Sequence, residues 1–210
     1  MRIAVVGAAG MVGSRVVNEA VGRGHDLIAV FRKEPTAAPP PGVLAVGGDA
    51  NDPGHMGRLF AGTDAIVAAT RPAPGHEDTA VRTTTALLTA AATARTRILV
   101  VGGAAPLRNP GHPDRLVLDS PEYVPERFRA IAAASAAQLD ACRTHPADWV
   151  YLSPPALLEP GLRTGRYRRG TTTLLTTADG ASRVSAEDLA VAVLDELENP
   201  GGEKHFTIGY

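Results

Sequence analysis

The chain has 210 residues, 44% of them hydrophobic, with 21 Lys+Arg against 22 Asp+Glu; that fits one domain with a buried core and gives no global field to gather nucleic acid or an anionic membrane. A lone cysteine, Cys142, excludes an internal disulfide framework and a Cys-rich zinc site, and no metal is expected. No apolar run approaches the roughly 20 residues a bilayer needs, so the expectation is a cytoplasmic protein acting on a small molecule, without nucleic-acid or membrane partners and with its oligomeric state open.

The first element is an apolar, β-branched run, Ile3–Val6, that stops at Gly7. Gly10 and Gly13 follow, and the apolar period shifts to helical spacing at Val12, Val16, Val17, Ala20 and Val21, predicting a helix over Met11–Arg23. A strand turning into a helix on glycines aims backbone N–H groups and the positive helix end at an anion, such as a dinucleotide diphosphate. The spacing G-x-x-G-x-x-G is a variant of the usual fingerprint, set in the strand-turn-helix context that such a motif requires. Gly7 takes the tight turn in this reading. Ala9 and Gly10, with Met11 and Val12 beyond them, let the diphosphate approach the backbone, and Gly13 lets the helix lie against the sheet.

The second strand, Leu27–Phe31, runs into Arg32 and Lys33. A site for NAD usually carries Asp or Glu here to accept from the ribose hydroxyls. Two cations suit a 2′-phosphate instead: Arg32 can fork onto its oxygens and Lys33 can add a point charge. NADP(H) is the favoured cofactor; Glu34 could serve NAD if the strand ran longer, which keeps NAD as the alternative. The Pro-rich stretch from Glu34 to Gly42 predicts an extended loop. After the strand Val43–Val46 comes Gly48-Asp49-Ala50, where Asp49 can accept from the adenine amino group beside a backbone group at Ala50.

A helix over Pro53–Phe60 and a strand over Ala65–Ala69 lead to Ala69-Thr70-Arg71-Pro72, which would lie along the ribose and diphosphate, with Arg71 a second phosphate contact. A helix over Thr79–Arg95 and a strand over Ile98–Val101 follow. From Gly102 to Pro125 the chain is Pro-rich and aperiodic, as a lid or binding loop would be. The next helix, Glu126–Arg143, gathers Phe128, Ile131, Ala132, Ser135, Leu139 and Cys142 on one face. The strand Trp149–Leu152 is broken off by Pro154 and Pro155, and the stretch from Glu159 to Gly180 reads as loops and short strands. Ser185 starts a helix to about Glu198, with Asp188 reaching back in a capping box, and His205–Ile208 is the last strand. Short apolar strands alternating with helices predict an α/β fold, a Rossmann-type doubly wound parallel sheet of order 3-2-1-4-5-6. The expected organisation is one NAD(P)-binding domain over 1–210, its residues 153–210 including a small C-terminal substrate lobe.

A common catalytic device on this fold is Tyr-x-x-x-Lys, in which the lysine lowers the tyrosine pKa. Tyrosines stand at 123, 151, 167 and 210, and the lysines, Lys33 and Lys204, follow none of them at that spacing. The glycine triplet, the Arg-ended second strand, the segments Val101 to Leu107 and Asp148 to Pro155, and the tail segments Pro160 to Arg168, Val184 to Ala190 and His205 to Tyr210 resemble atypical short-chain dehydrogenase/reductases. Together they are similar to the NADH-flavin reductase subgroup of the NAD(P)H-binding, NmrA/biliverdin reductase B-like proteins.

That resemblance implies a nicotinamide held between Ala69–Thr70, Gly102, Gly103 and Ala104, and the Ser153-Pro154-Pro155 turn. Substrate would stack above it under the Leu107–Tyr123 loop, against Leu107, Tyr123, Pro155 and Tyr167. FMN or another flavin, or a different planar molecule, would accept the hydride. The chain departs from the biliverdin reductase B pattern of a Ser after the fifth strand and a His after Pro-Pro: Ala104 and Ala156 stand there. No catalytic side chain is assigned. Tyr167 reads as a pocket residue or a packing one, and Arg163 as an anion grip or a surface ion pair. A non-catalytic NADP(H) sensor of the NmrA type and a secondary-metabolite reductase or isomerase remain the alternatives.

Overall fold

In the computed structural model, which describes residues 1–33 and 39–210, each apolar run expected as a strand forms one. In chain order the elements are β1 (Arg2–Val6), α1 (Met11–Gly22), β2 (Asp26–Phe31), β3 (Val43–Gly47), α2 (Pro53–Phe60), β4 (Ala65–Ala68), α3 (Thr79–Ala94), β5 (Arg97–Val101), α4 (Arg129–Thr144), β6 (Trp149–Ser153), β7 (Leu157–Glu159), β8 (Arg168–Gly170), β9 (Arg183–Ser185), α5 (Ala186–Glu198) and β10 (His205–Gly209). Glu34 and the first part of the expected Pro-rich loop, residues 34–38, lie outside the described residues.

The main sheet has the order β3-β2-β1-β4-β5-β6-β10-β8. The expected 3-2-1-4-5-6 order is present, parallel throughout, and β8 alone runs antiparallel, against β10. Side chains alternate across a strand, so one sheet makes two cores. Ile3 and Val5 pack with Val16, Ala20, Leu189 and Val193 under α1 and α5, while Ala4 and Val6 pack with Met56, Phe60, Leu87 and Leu139 under α2, α3 and α4. Burial on both faces is why these strands read as continuous apolar runs. Among the described residues, no helix is long and apolar enough to cross a membrane.

The structure differs from the sequence reading in three places. The tail is largely merged with the main sheet: β10 joins β6, β8 joins β10, and α5 packs beside α1, leaving only β7 and β9 as a separate two-stranded pair. Phe128 is 45% exposed, because a 3-10 turn over Glu126–Phe128 precedes α4 and shifts the phase, leaving the ring under the Arg127 guanidinium. The α5 cap is half as expected. Ser185 Oγ accepts from the Asp188 N–H at 3.0 Å, but the Ser185 N–H donates to the Tyr210 hydroxyl, which in turn donates to Asp188 Oδ2. Aspartate is one methylene shorter than the Glu or Gln of a capping box, and the tyrosine hydroxyl completes the link.

The connection after β5 is a folded cap. Leu107, Val117, Val124 and Leu174 form a third small core, with Ala104, Tyr123 and Ala132 packed on it. Residues 108 and 172–174 are stitched by Arg108 N–H to the Thr172 carbonyl (2.7 Å) and Leu174 N–H to the Arg108 carbonyl (3.0 Å). Inside the cap, Asn109 Nδ2 donates to Ser120 Oγ and Glu122 Oε1, while its Oδ1 accepts from the Gly111 and His112 N–H groups.

Candidate functional site

The loops at the carboxyl ends of β1 to β6 gather along one edge of the sheet, where open α/β sheets bind ligands. At its centre is the glycine turn. Gly7 adopts φ +85°, and a Cβ there would lie 2.5 Å from the Ala69 carbonyl oxygen. A Cβ on Gly13 would lie 2.1 Å from the Gly7 carbonyl oxygen, so α1 can begin against the β1 turn only with glycine there. Gly10 is less confined, with 3.2 Å to the same oxygen. It is the N-cap of α1 and provides no side chain to the first-turn N–H groups. Ala9, Gly10 and Met11 are exposed and Val12 is half-buried. The Gly7 and Ala8 N–H groups donate to the Val30 carbonyl and that of Gly10 to the Gly7 carbonyl, so the donors left open at this turn are those of Ala9, Met11 and Val12, a cradle that fits a diphosphate.

Beside it, β2 and β3 end together, Gly48 N–H donating to the Phe31 carbonyl at 2.8 Å. Arg32 and Lys33 are exposed there. Asp49 Oδ1 accepts from the Asn51 N–H (2.9 Å) and Nδ2 (3.0 Å). These bonds, and then the Arg82 and Arg32 charges, hold its carboxyl below the usual aspartate value. Ala50 is half-buried beside it. Gly48 packs closely, since a Cβ there would lie 2.5 Å from the Met56 methyl carbon and 3.1 Å from Val30 Cγ1 and would push the methionine end aside.

On the other side of the glycine turn, Ala69 and Thr70 are half-buried and Arg71 is exposed. Ala69 N–H donates to the Val6 carbonyl, fixing this loop to β1. Gly102 and Gly103 follow β5, and packing from behind accounts for both. A Cβ on Gly102 would fall 1.8 Å from the Tyr151 hydroxyl oxygen, and one on Gly103 would fall 2.8 Å from Ser135 Oγ. The Tyr151 hydroxyl is within bonding distance of the Ser135 carbonyl (2.9 Å) and Gln138 Oε1 (3.1 Å), and burial raises its pKa. That phenol is a strut under the β5 turn. Burial likewise pushes the Cys142 thiol up to about 12, so it stays protonated and inert.

Pro154 and Pro155 are buried after β6. Ser153, directly before them, lies 2.9 Å from His205 Nε2 on β10, and burial lowers the His205 pKa to about 4. A neutral His–Ser pair therefore anchors the base of that turn. Nothing in a single sequence pairs residues so far apart, and this anchor went unanticipated.

The cap continues from the Gly102–Gly103 turn, with Leu107 fully buried in its core and Tyr123 and Ala104 half-buried on its surface. Tyr167 is placed elsewhere. Its ring packs on the core under α1 and α5, and its hydroxyl donates to Asp195 Oδ2 at 2.5 Å. The other oxygen of Asp195 holds Arg23, just past the end of α1 remote from the glycine turn. Pocket lining is corrected to packing for this tyrosine. Arg163 is engaged as an ion pair with Glu19 at 2.7 Å.

The NAD(P)H-binding family pattern matches residues 7–200. The Bacillus subtilis (strain 168) uncharacterized protein YwnB is 34% identical over 209 residues, covering 95% of this chain and 93% of YwnB. A solved epimerase candidate from Bacteroides thetaiotaomicron superposes with a TM-score of 0.91 at 33% identity, covering 100% of this chain and 96% of the other. A candidate NADH-flavin reductase from Streptococcus pneumoniae TIGR4 superposes with a TM-score of 0.87 at 29% identity, covering 100% and 99%. The glycine cradle at the centre of the ligand-binding edge lies within the matched span, and the chain belongs to the NAD(P)H-binding family of Rossmann-fold proteins.

Proposed function

We propose that the chain is an NADPH-dependent reductase that delivers hydride to a flavin or another planar conjugated acceptor. The observation that carries this reading is the pairing of the diphosphate cradle at Gly7–Gly13 with exposed Arg32 and Lys33 at the end of β2. A bound reduced nicotinamide supplies the hydride. The Gly102–Gly103 turn and the Pro154–Pro155 turn, each braced from behind by Tyr151 or by Ser153 and His205, hold the walls of that end fixed. Above them Ala104, Ala132 and Tyr123 offer an apolar surface suited to a flat ring. A conjugated acceptor takes its balancing proton from water, so the absence of Tyr-x-x-x-Lys from the sequence does not stand against it. An epimerase would need a base at a substrate carbon, and a ketone reductase a positioned acid; the alanines at 104 and 156 favour neither.

The test is purified protein with NADPH and FMN or riboflavin, followed at the nicotinamide absorbance band. Oxidation well above the protein-free blank is the expected result. Tight NADPH binding with no oxidation across flavins and quinones would overturn the reductase reading in favour of a redox sensor. Arg32→Ala should weaken NADPH binding by roughly tenfold, about 1.4 kcal/mol, with little change for NADH; equal loss for both nucleotides would refute the 2′-phosphate assignment.

A further inference from the structure

Arg82 brings another cation to the adenosine end from an element whose sequence gives no hint of it. It stands near the start of α3 and is exposed. Among the described residues no carboxylate lies within ion-pair distance of it, although Asp78 sits one turn earlier on the same helix. The arginines around α1 and α5, by contrast, are matched: Arg15 with Glu187, Arg23 with Glu19, and Arg169 with Glu196.

A chain of side-chain bonds sets where Arg82 stands. The neighbouring Thr83 hydroxyl donates to Asn51 Oδ1 at 2.9 Å. Asn51 donates through its N–H and Nδ2 to Asp49 Oδ1. The Gly48–Phe31 bond sets that loop directly beside Arg32. Thr83, Asn51 and Asp49 thus clip α3 to the mouth formed by β2 and β3. The charges of Arg82 and Arg32 both act on the Asp49 carboxylate, from two different elements. One Asp49 oxygen is already taken by Asn51, so a single carboxylate cannot neutralise both guanidinium groups. Among the described residues, Arg82 and Arg32 thus share the half-engaged Asp49 carboxylate, and a phosphate monoester brings about −1.5 to −2 charges at neutral pH.

We propose that Arg82 is a second contact for the nucleotide 2′-phosphate, opposite Arg32, and that the Thr83–Asn51 clip positions it. The inference rests on the NADPH reading above. Guanidinium groups from two elements would fork onto different oxygens of one phosphate, selecting for the phosphorylated nucleotide more sharply than the strand end alone.

The experiment is fluorescence titration of wild type, Arg82→Ala, Arg82→Lys, Arg32→Ala and Thr83→Val with NADPH and with NADH, at low and at moderate salt. Arg82→Ala should raise the NADPH Kd roughly tenfold and keep the NADH Kd within about twofold, with a shallower salt dependence for NADPH; Arg82→Lys should recover part of the loss. If Arg32→Ala lowers the NADPH preference and Arg82→Ala does not, the Arg82 contact is refuted while the NADPH reading stands. If neither substitution moves the ratio, or wild type prefers NADH, the NADPH reading fails and this proposal with it. Thr83→Val should lower NADPH affinity in wild type and do nothing further in the Arg82→Ala background. A loss that persists there would refute the clip as the device that positions Arg82.

Discussion

The glycines of the turn after β1 are not equivalent, and the clearance around each ranks them. Gly13 faces the Gly7 carbonyl with no room for a methyl group, at 2.1 Å, whereas Gly10 has 3.2 Å to the same oxygen. Gly13→Ala must push α1 off the sheet and should destabilise the protein by about 2 kcal/mol or more, as overpacking does. Gly10→Ala should cost under about 1 kcal/mol. Urea denaturation midpoints of the two variants measure the difference, and equal losses would contradict the ranking. The spacing Gly7, Gly10, Gly13 was legible because a strand-turn-helix needs glycine in those places whatever the rest of the chain does. The requirement at Gly102 was not: it depends on the Tyr151 hydroxyl, which reaches the turn from the neighbouring strand.

Among the elements, α5 shows how a short motif can carry more than its own helix cap. Asp188 Oδ1 accepts from the Thr164 and Gly165 N–H groups, each at 2.8 Å, and Oδ2 accepts from the Thr164 and Tyr210 hydroxyls at 2.6 and 2.7 Å. Burial opposes this charge and the hydrogen bonds outweigh it, holding the carboxyl below the usual aspartate value. Asp188→Ala leaves those donors without an acceptor and should cost roughly 3 kcal/mol. It should also free the 160–166 loop, so trypsin should cut after Arg163 and Arg166 much faster than in wild type; unchanged cleavage would show that the loop is held by other means. The sequence signal around Ser185 located the helix start, because the cap is a local interaction. Nothing local could reveal that the same aspartate also holds the 160–166 loop and the last residue of the chain.

At the scale of the whole molecule, acid should lower stability over two successive pH ranges. His205 is neutral in the fold, its pKa lowered to about 4 by burial and then by the Arg143 charge, against the usual histidine value of 6.5. Below pH 6.5 the unfolded chain takes up this proton and the folded one does not, so stability falls from pH 6.5 down to 4, by at most about 3 kcal/mol. Glu19 then contributes with the opposite charge sign. Its bond to Arg163 leads in lowering its pKa to about 2 from 4.5, so that share of stability is lost as pH falls from 4.5 to 2. His205→Phe should remove the upper slope and keep the lower one, at a pH-independent cost of about 1–2 kcal/mol for the Ser153 hydroxyl left without its partner. Denaturation midpoints measured from pH 7 to 3 decide it; an unchanged upper slope would place the proton uptake elsewhere. The order of the first six strands was legible because alternating apolar runs and amphipathic helices allow few right-handed windings. The positions of β8 and β10 were not, because their pairing depends on partners distant in the chain.

The cap stitched between Arg108 and residues 172–174 has a consequence for how the protein is made. The diphosphate cradle and the cationic end of β2 precede the cap in the chain, whereas the stitch waits for residues 172–174. A chain released before residue 172 carries the nucleotide cradle with the cap unstitched. In the reductase proposed above, such a fragment would lack the segment to which Arg108 is bonded.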